Sequence, residues 1–498
     1  MPRPTRRRLK PAPLRYEQRR SNCAFLVGVV YPIHLLRQNY VPCQRCYRIT
    51  SHCEDLFERK RQLCGRLRLA SALPSRVQVA SREQEESPLN TKKERSTASA
   101  VTLAFCCALA LAAISGARSQ AQQKQAVDAQ NAPVFRVDPF WPKPLPNRWS
   151  MQQVTGLYVE AKNDHIWFLN RGAAADGDEI GGADNPPRID CCVRGPEVIE
   201  LDPEGNVVNA WGGPGYIPQW PMALQTVIAD RQGNIWVGGT APQDSILKFS
   251  RDGKLLWDFG HRPTKDSPPL KENNQQIDII GSKGRFNLDE DVREIYMVNS
   301  KRVLVFDMDT GAFKRGWGGH GMPLSEISND PIPPYKWTGG PPPEEKQFVP
   351  DLHFAEISKD KLVYVGERGQ DRIEVFTTDG KFVKEFYVSP NTPARGEDCG
   401  GLPPNTKMPP CGTTYKMVFS KDPEQKYMYV ADGTNNHVWI LDRNSGKTLG
   451  SFGSNGKYAG QFHWINAVGT DSKGNIYTGE VEQAKRIQKF VPVMADHR

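Results

Sequence analysis

From residue 134 onward the chain repeats itself, and a repeat limits the fold more tightly than composition does. VIADRQGNIWVGG at 227–239, leading into DSILKFSRDGKLLWDFG at 244–260, shares its plan with AVGTDSKGNIYTGEVEQAKRIQKF at 467–490. Apolar and polar residues alternate, the chain turns at a glycine-bearing tetrapeptide, and the alternation resumes. A period of two puts every second side chain on one face of a strand. The turns RQGN, SKGN, RDGK, PEGN and TDGK each supply a glycine that can take the positive φ of a tight hairpin. The pattern predicts short antiparallel strands.

Six such units can be marked, at 154–213, 225–260, 286–319, 351–388, 414–453 and 462–491. Each full unit has room for four strands, and the sixth runs out after three. The strand-like segment VFRVD at 134–138 can supply the missing outer strand, which would close a ring and remove an exposed edge. An aromatic residue followed by glycine ends several units, at Trp211, Phe259, Trp317 and Phe452, and large rings suit the layer between neighbouring sheets. The expected fold is therefore all-β, a six-bladed β-propeller over 134–491 closed by its N-terminal strand. Unit lengths differ through insertions at 171–197, 261–284, 320–350 and 389–413, the third of them rich in proline and a candidate surface for a protein partner. Asp176, Asp178 and Glu179 would be the donors of a calcium site, but their order does not follow an EF-hand loop, and a solvated loop is the expectation.

The formal charge of +9 is concentrated at the front. Residues 1–121 carry 22 Lys/Arg against 8 Asp/Glu, whereas the remaining 377 carry 43 against 48. A mildly acidic body excludes a nucleic-acid surface, which needs clustered cations. No run reaches the roughly 18 apolar residues of a confident membrane span. Residues 92–121 do carry the grammar of a secretory signal: Lys92, Lys93 and Arg95, then the apolar stretch Ala100–Ile114, then small residues. A secreted or periplasmic protein is expected. The basic leader 1–91 is expected either to lack a fold or to reflect an over-extended gene start. Cys43, Cys46 and Cys53 with His52 lack the second well-spaced pair of a zinc site. Cys399 and Cys411 bracket a Gly/Pro-rich loop that a disulfide would close, and adjacent Cys191 and Cys192 could pair or stay free.

The segments DGTNNHVWILD (432–442), RGQDRIEVFTTDGKFVKEF (368–386) and GQFHWINAVGTDSKGNIYTGEV (460–481) resemble the NHL-repeat propellers. More closely, they are similar to secreted bacterial relatives of peptidyl-α-hydroxyglycine α-amidating lyase. The resemblance covers roughly 134–491 and implies a zinc ion in the central channel, held by three histidines that each open an innermost strand, with an arginine and a tyrosine assisting at the mouth. Carried over position by position, it assigns His353, in LHFAEIS, as one metal ligand and Arg171, in FLNRG, as the arginine. Gln225 and Asn466 stand where the other two histidines would be, and His463 lies three residues before Asn466. The third unit reads YMVNSKRVLVFD and lacks the tyrosine turn. Amides are poor zinc ligands beside imidazole.

No G-x-S-x-G elbow, H-E-x-x-H or Walker-type phosphate loop occurs in the body. The expectation is an exported propeller that binds a small-molecule, peptide or protein ligand at one face, with a degenerate lyase-like central site. Arg171 and His353 are its anchors, and Gln225, Asn466 and His463 are further channel-lining candidates. The alternative is a divergent zinc-dependent lyase or hydrolase. Zinc and calcium are the metals left open.

Overall fold

The computed structural model describes residues 125, 127–128, 131–172, 181–182, 184, 186–240, 244–261, 283–328, 330–333, 335–395, 399 and 411–494. The leader, the signal segment and Asp176, Asp178 and Glu179 lie outside them.

Alternation and glycine turns give six four-stranded antiparallel sheets among the described residues. Blade 1 is Gln153–Val159, Ile166–Arg171, Val198–Leu201 and Val207–Trp211. Blade 2 is Ala223–Ala229, Ile235–Thr240, Ser245–Phe249 and Leu255–Asp258. Blade 3 is Phe286–Asp289, Glu294–Asn299, Arg302–Asp307 and Phe313–Trp317. Blade 4 is Leu352–Ile357, Leu362–Glu367, Arg372–Thr377 and Phe382–Tyr387. Blade 5 is Lys416–Phe419, Tyr427–Asp432, His437–Asp442 and Thr448–Phe452. Blade 6 takes Ile465–Thr470, Ile476–Glu480 and Arg486–Pro492 from the C-terminal end, and its outermost strand is Phe135–Asp138, with Phe135 opposite Pro492 and Val137 opposite Phe490. The chain is a six-bladed β-propeller closed by its N-terminal strand.

The core lies between the blades. Six buried apolar clusters fill the six interfaces around the ring; one joins Leu157 and Phe168 of blade 1 to Ala467 and Tyr477 of blade 6. The unit-ending aromatics sit in these layers. Trp211 packs 4.9 Å from Phe249, Phe259 5.1 Å from Phe306, Trp317 5.8 Å from Phe376 and Phe452 4.8 Å from Phe490, each pair crossing to the next blade. The repeated D-x-x-G-N-x-aromatic string has a local reason. In blade 2, Asp230 Oδ1 accepts from the backbone of Gln232 and Asn234 while Oδ2 accepts from Trp236 Nε1 at 3.0 Å. In blade 6, Asp471 does the same for Lys473, Asn475 and the Tyr477 hydroxyl. One carboxylate thus fixes a hairpin and the buried ring beyond it.

A second device positions the channel wall. The innermost strands of blades 1, 2, 4 and 6 slip register between Val154 and Leu157, Leu224 and Thr226, Leu352 and Phe354, and Ile465 and Ala467. Such bulges re-aim a side chain. In blade 4, Gly366 faces this slip: a Cβ there would lie 2.1 Å from the Phe354 ring, so glycine is required for the close approach.

Candidate functional site

The residues skipped by the bulges include Gln225, His353 and Asn466, and all three line a cavity of about 260 Å³ walled by the innermost strands of the six blades. Thr155 occupies the corresponding place in blade 1. Arg285 and Tyr415 complete the ring in blades 3 and 5. They directly precede their strands, where the Arg285 carbonyl accepts from Val298 N at 3.2 Å and Tyr415 N donates to the Ala431 carbonyl at 3.1 Å. Equivalent positions on six blades therefore bring Thr155, Gln225, Arg285, His353, Tyr415 and Asn466 to one opening.

His353 is 8% exposed, and both of its ring nitrogens face protein atoms. Nδ1 lies 3.2 Å from the Tyr415 carbonyl, while Nε2 lies 3.2 Å from both Arg368 Nη1 and Asp351 Oδ2. The Asp351 carboxylate is the hub of a cationic cluster: Arg285 Nη1 donates to Oδ1 at 2.6 Å, Lys283 Nζ is 3.0 Å from Oδ2, and Arg368 Nη1 is 4.0 Å away. Burial opposes the Asp351 charge, but Arg285 first and Lys283 with it outweigh it and hold the carboxyl well below the usual range. Burial, followed by Arg285, pushes His353 down to about 3, so its imidazole is neutral at physiological pH. Arg368 is itself fixed: its guanidinium lies 4.5 Å over the Tyr415 ring and its Nε donates to the Cys411 carbonyl at 2.7 Å. Cys411 is paired with Cys399, Cα to Cα 5.4 Å, and Cys191 is paired with Cys192.

These donors do not fit a zinc ion. A tetrahedral site needs free lone pairs converging on an open point, yet each His353 nitrogen already meets a protein group at 3.2 Å. Asn466 turns its Nδ2 to the Thr155 carbonyl at 2.9 Å. Arg285, Lys283 and Arg368 around Asp351 add positive charge where a dication would sit.

Arg171 and His463 are placed elsewhere. Arg171 does not line the cavity; it ends the second strand of blade 1, and its guanidinium donates to the Gln153 side chain. Burial lowers its proton affinity, while Glu482 and Glu197 oppose that shift. His463 is half-buried, donates its backbone N–H to Glu480 Oε2 at 2.8 Å, and does not line the cavity.

Below the mouth, Glu356 accepts from Lys416 at 2.5 Å and from Asn287 Nδ2 at 2.8 Å. Tyr158 lies beside them, its hydroxyl pushed up to about 12 by burial first and then by Glu290. Among the described residues, His320, Glu374 and Glu385 come close enough together to suggest a metal site, but Arg372 occupies it, 2.8 Å from Glu374 and 3.0 Å from Glu385.

Reading from the sequence reached Gln225, His353 and Asn466 and missed Arg285, Tyr415, Asp351, Arg368 and Thr155. The missing signal was positional. Arg285 and Tyr415 stand one residue ahead of FNLD and KMVF, as His353 stands at the head of FAEI, and counting back from each strand would have found them.

No family profile matches the sequence, and no curated protein does. Among solved structures, a protein of unknown function from Bacteroides thetaiotaomicron is similar at 14% identity and a TM-score of 0.40, over 68% of this chain and 70% of that one. A streptogramin B lyase is similar at 12% identity and 0.38, over 72% and 98%. A catalytically inactive virginiamycin B lyase from Staphylococcus aureus, solved with quinupristin, gives 11% and 0.36, over 72% and 89%. Values this low carry nothing about chemistry.

Proposed function

We propose that this protein is an exported, ligand-binding propeller whose channel mouth holds a small polar molecule or a peptide end by hydrogen bonds, without a metal ion. The observation that carries this reading is the engagement of His353 on both ring nitrogens, with Asp351, Arg285, Arg368 and the Tyr415 carbonyl around it. Gln225, Asn466 and Thr155 complete a wall of uncharged polar groups suited to orienting a ligand. Export is supported by the signal-like grammar at 92–121 and by the pairing of Cys399 with Cys411.

The test is metal analysis of the purified protein beside the His353→Ala variant, followed by calorimetric titration with zinc. The expected result is substoichiometric zinc in both and no saturable heat. One zinc per chain that disappears with His353→Ala would overturn this reading and restore the divergent zinc-dependent lyase or hydrolase.

A further inference from the structure

Resting on that reading, we infer that the ligand of the channel mouth carries a carboxylate, and that Arg285, backed by Arg368 and Lys283, receives it. The first observation is an imbalance of charge at one opening. Three cations, Lys283, Arg285 and Arg368, are gathered on the single carboxylate of Asp351. The charged side chains lining the cavity repeat the imbalance: Arg285, Lys416 and Lys421 against Glu356. His353 contributes no charge, since its imidazole is neutral.

The second observation is that the fold brings like charges together. Lys283 and Arg285 from the head of blade 3 and Arg368 from blade 4 converge on the one Asp351 carboxylate. Placing cations near one another with little solvent is unfavourable unless an anion joins them. A ligand carboxylate would relieve the repulsion that Asp351 alone leaves.

The third observation is geometric. Arg285 is only 11% exposed, lines the cavity, and holds Asp351 Oδ1 and the Leu352 carbonyl through one nitrogen, Nη1, at 2.6 and 2.9 Å. Its planar fork is thereby locked in orientation, and a fixed guanidinium matches a planar carboxylate better than a tetrahedral oxyanion. Across the mouth, the Thr155 hydroxyl is buried with no hydrogen-bond partner and lines the same cavity. A hydroxyl left this way loses stability unless a ligand satisfies it. The cavity of about 260 Å³ falls just below the roughly 300–1,000 Å³ usual for drug-sized ligands, so the acid is small.

The test uses matched probes at constant ionic strength: N-acetylglycine, its neutral partner N-acetylglycinamide, succinate, and inorganic phosphate. Binding is read by calorimetry and by the shift in melting temperature, on the wild-type protein and on Arg285→Gln and Arg368→Gln. The expected result is saturable binding of at least one of the two carboxylates, with the amide weaker by roughly tenfold or more and a similar loss on Arg285→Gln. Arg368→Gln gives the same direction of change should Arg285→Gln fail to fold. Equal binding of acid and amide, or carboxylate binding unaltered in both variants, overturns the carboxylate assignment and leaves the ligand-binding reading standing. Phosphate binding with neither carboxylate bound also overturns it. If no probe binds, neutral or charged, both readings fall together.

Discussion

Asp371 shows how a single residue sets a cost that the rest of the ring must carry. It is fully buried, and burial, reinforced by the nearby Asp432 carboxylate, raises its proton affinity well above that of an ordinary aspartate. An unfolded aspartate gives up its proton near pH 4, whereas this one holds it to higher pH in the folded chain. Stability is therefore complete below about pH 4 and is lost as the pH climbs through the folded value. Asparagine removes the titration and tolerates the left-handed φ of 54° at this position. Asp371→Asn is expected to stabilise the protein at pH 8 by roughly 1–3 kcal/mol and to give little gain near pH 4, as measured by urea denaturation at the two pH values. A uniform effect at both would mean that the carboxyl is ionised in the folded chain.

At the scale of the strand, the channel wall depends on residues that never touch the cavity. The inner-strand bulge of blade 4 exists because Gly366 opposite it has no side chain, leaving room for the Phe354 ring. Gly366→Val is expected to cost about 1–3 kcal/mol through overpacking, read as a lower midpoint in thermal unfolding, and to shift the His353 ring resonances because the bulge must move. Retention of the wild-type His353 signals would show that the bulge does not depend on the glycine. The Cys399–Cys411 bridge works at the same scale. The Cys411 carbonyl anchors Arg368, and Arg368 supports Tyr415 and His353. Cys399→Ser is expected to lower stability by about 2–3 kcal/mol, as for a bridge closing a loop of about a dozen residues. It is also expected to weaken ligand binding at the mouth, and a variant with full affinity at normal stability would separate the bridge from the site.

For the whole molecule, the ring is held by its closure. The outer strand of the last blade comes from residues 135–138, and Phe135 packs 5.6 Å from Tyr429 and 5.1 Å from Phe452, so it ties blade 5 as well as blade 6. A chain lacking Phe135–Asp138 leaves Arg486–Pro492 as an open, unpaired edge. Its melting temperature is expected to fall by several degrees, as a loss of a few kcal/mol implies for a domain of this size. Light scattering on warming is expected to rise. Unchanged melting and scattering would show that the blades hold the ring without the strap.

The repeat period, the glycine turns and the unit-ending aromatics were enough to determine six units, their order, the closing strand and the aromatic layers between blades, because these are local patterns written in consecutive residues. The resemblance to the amidating-lyase propellers added Gln225, His353 and Asn466 as candidates, and all three line the cavity. What surrounds them was decided only in three dimensions. Asp351 meets Lys283 and Arg285 from another blade, and Arg368, held by the Cys411 carbonyl, reaches back to His353. Charge compensation and the state of an imidazole depend on distances between chain segments far apart in sequence, and no periodicity records them.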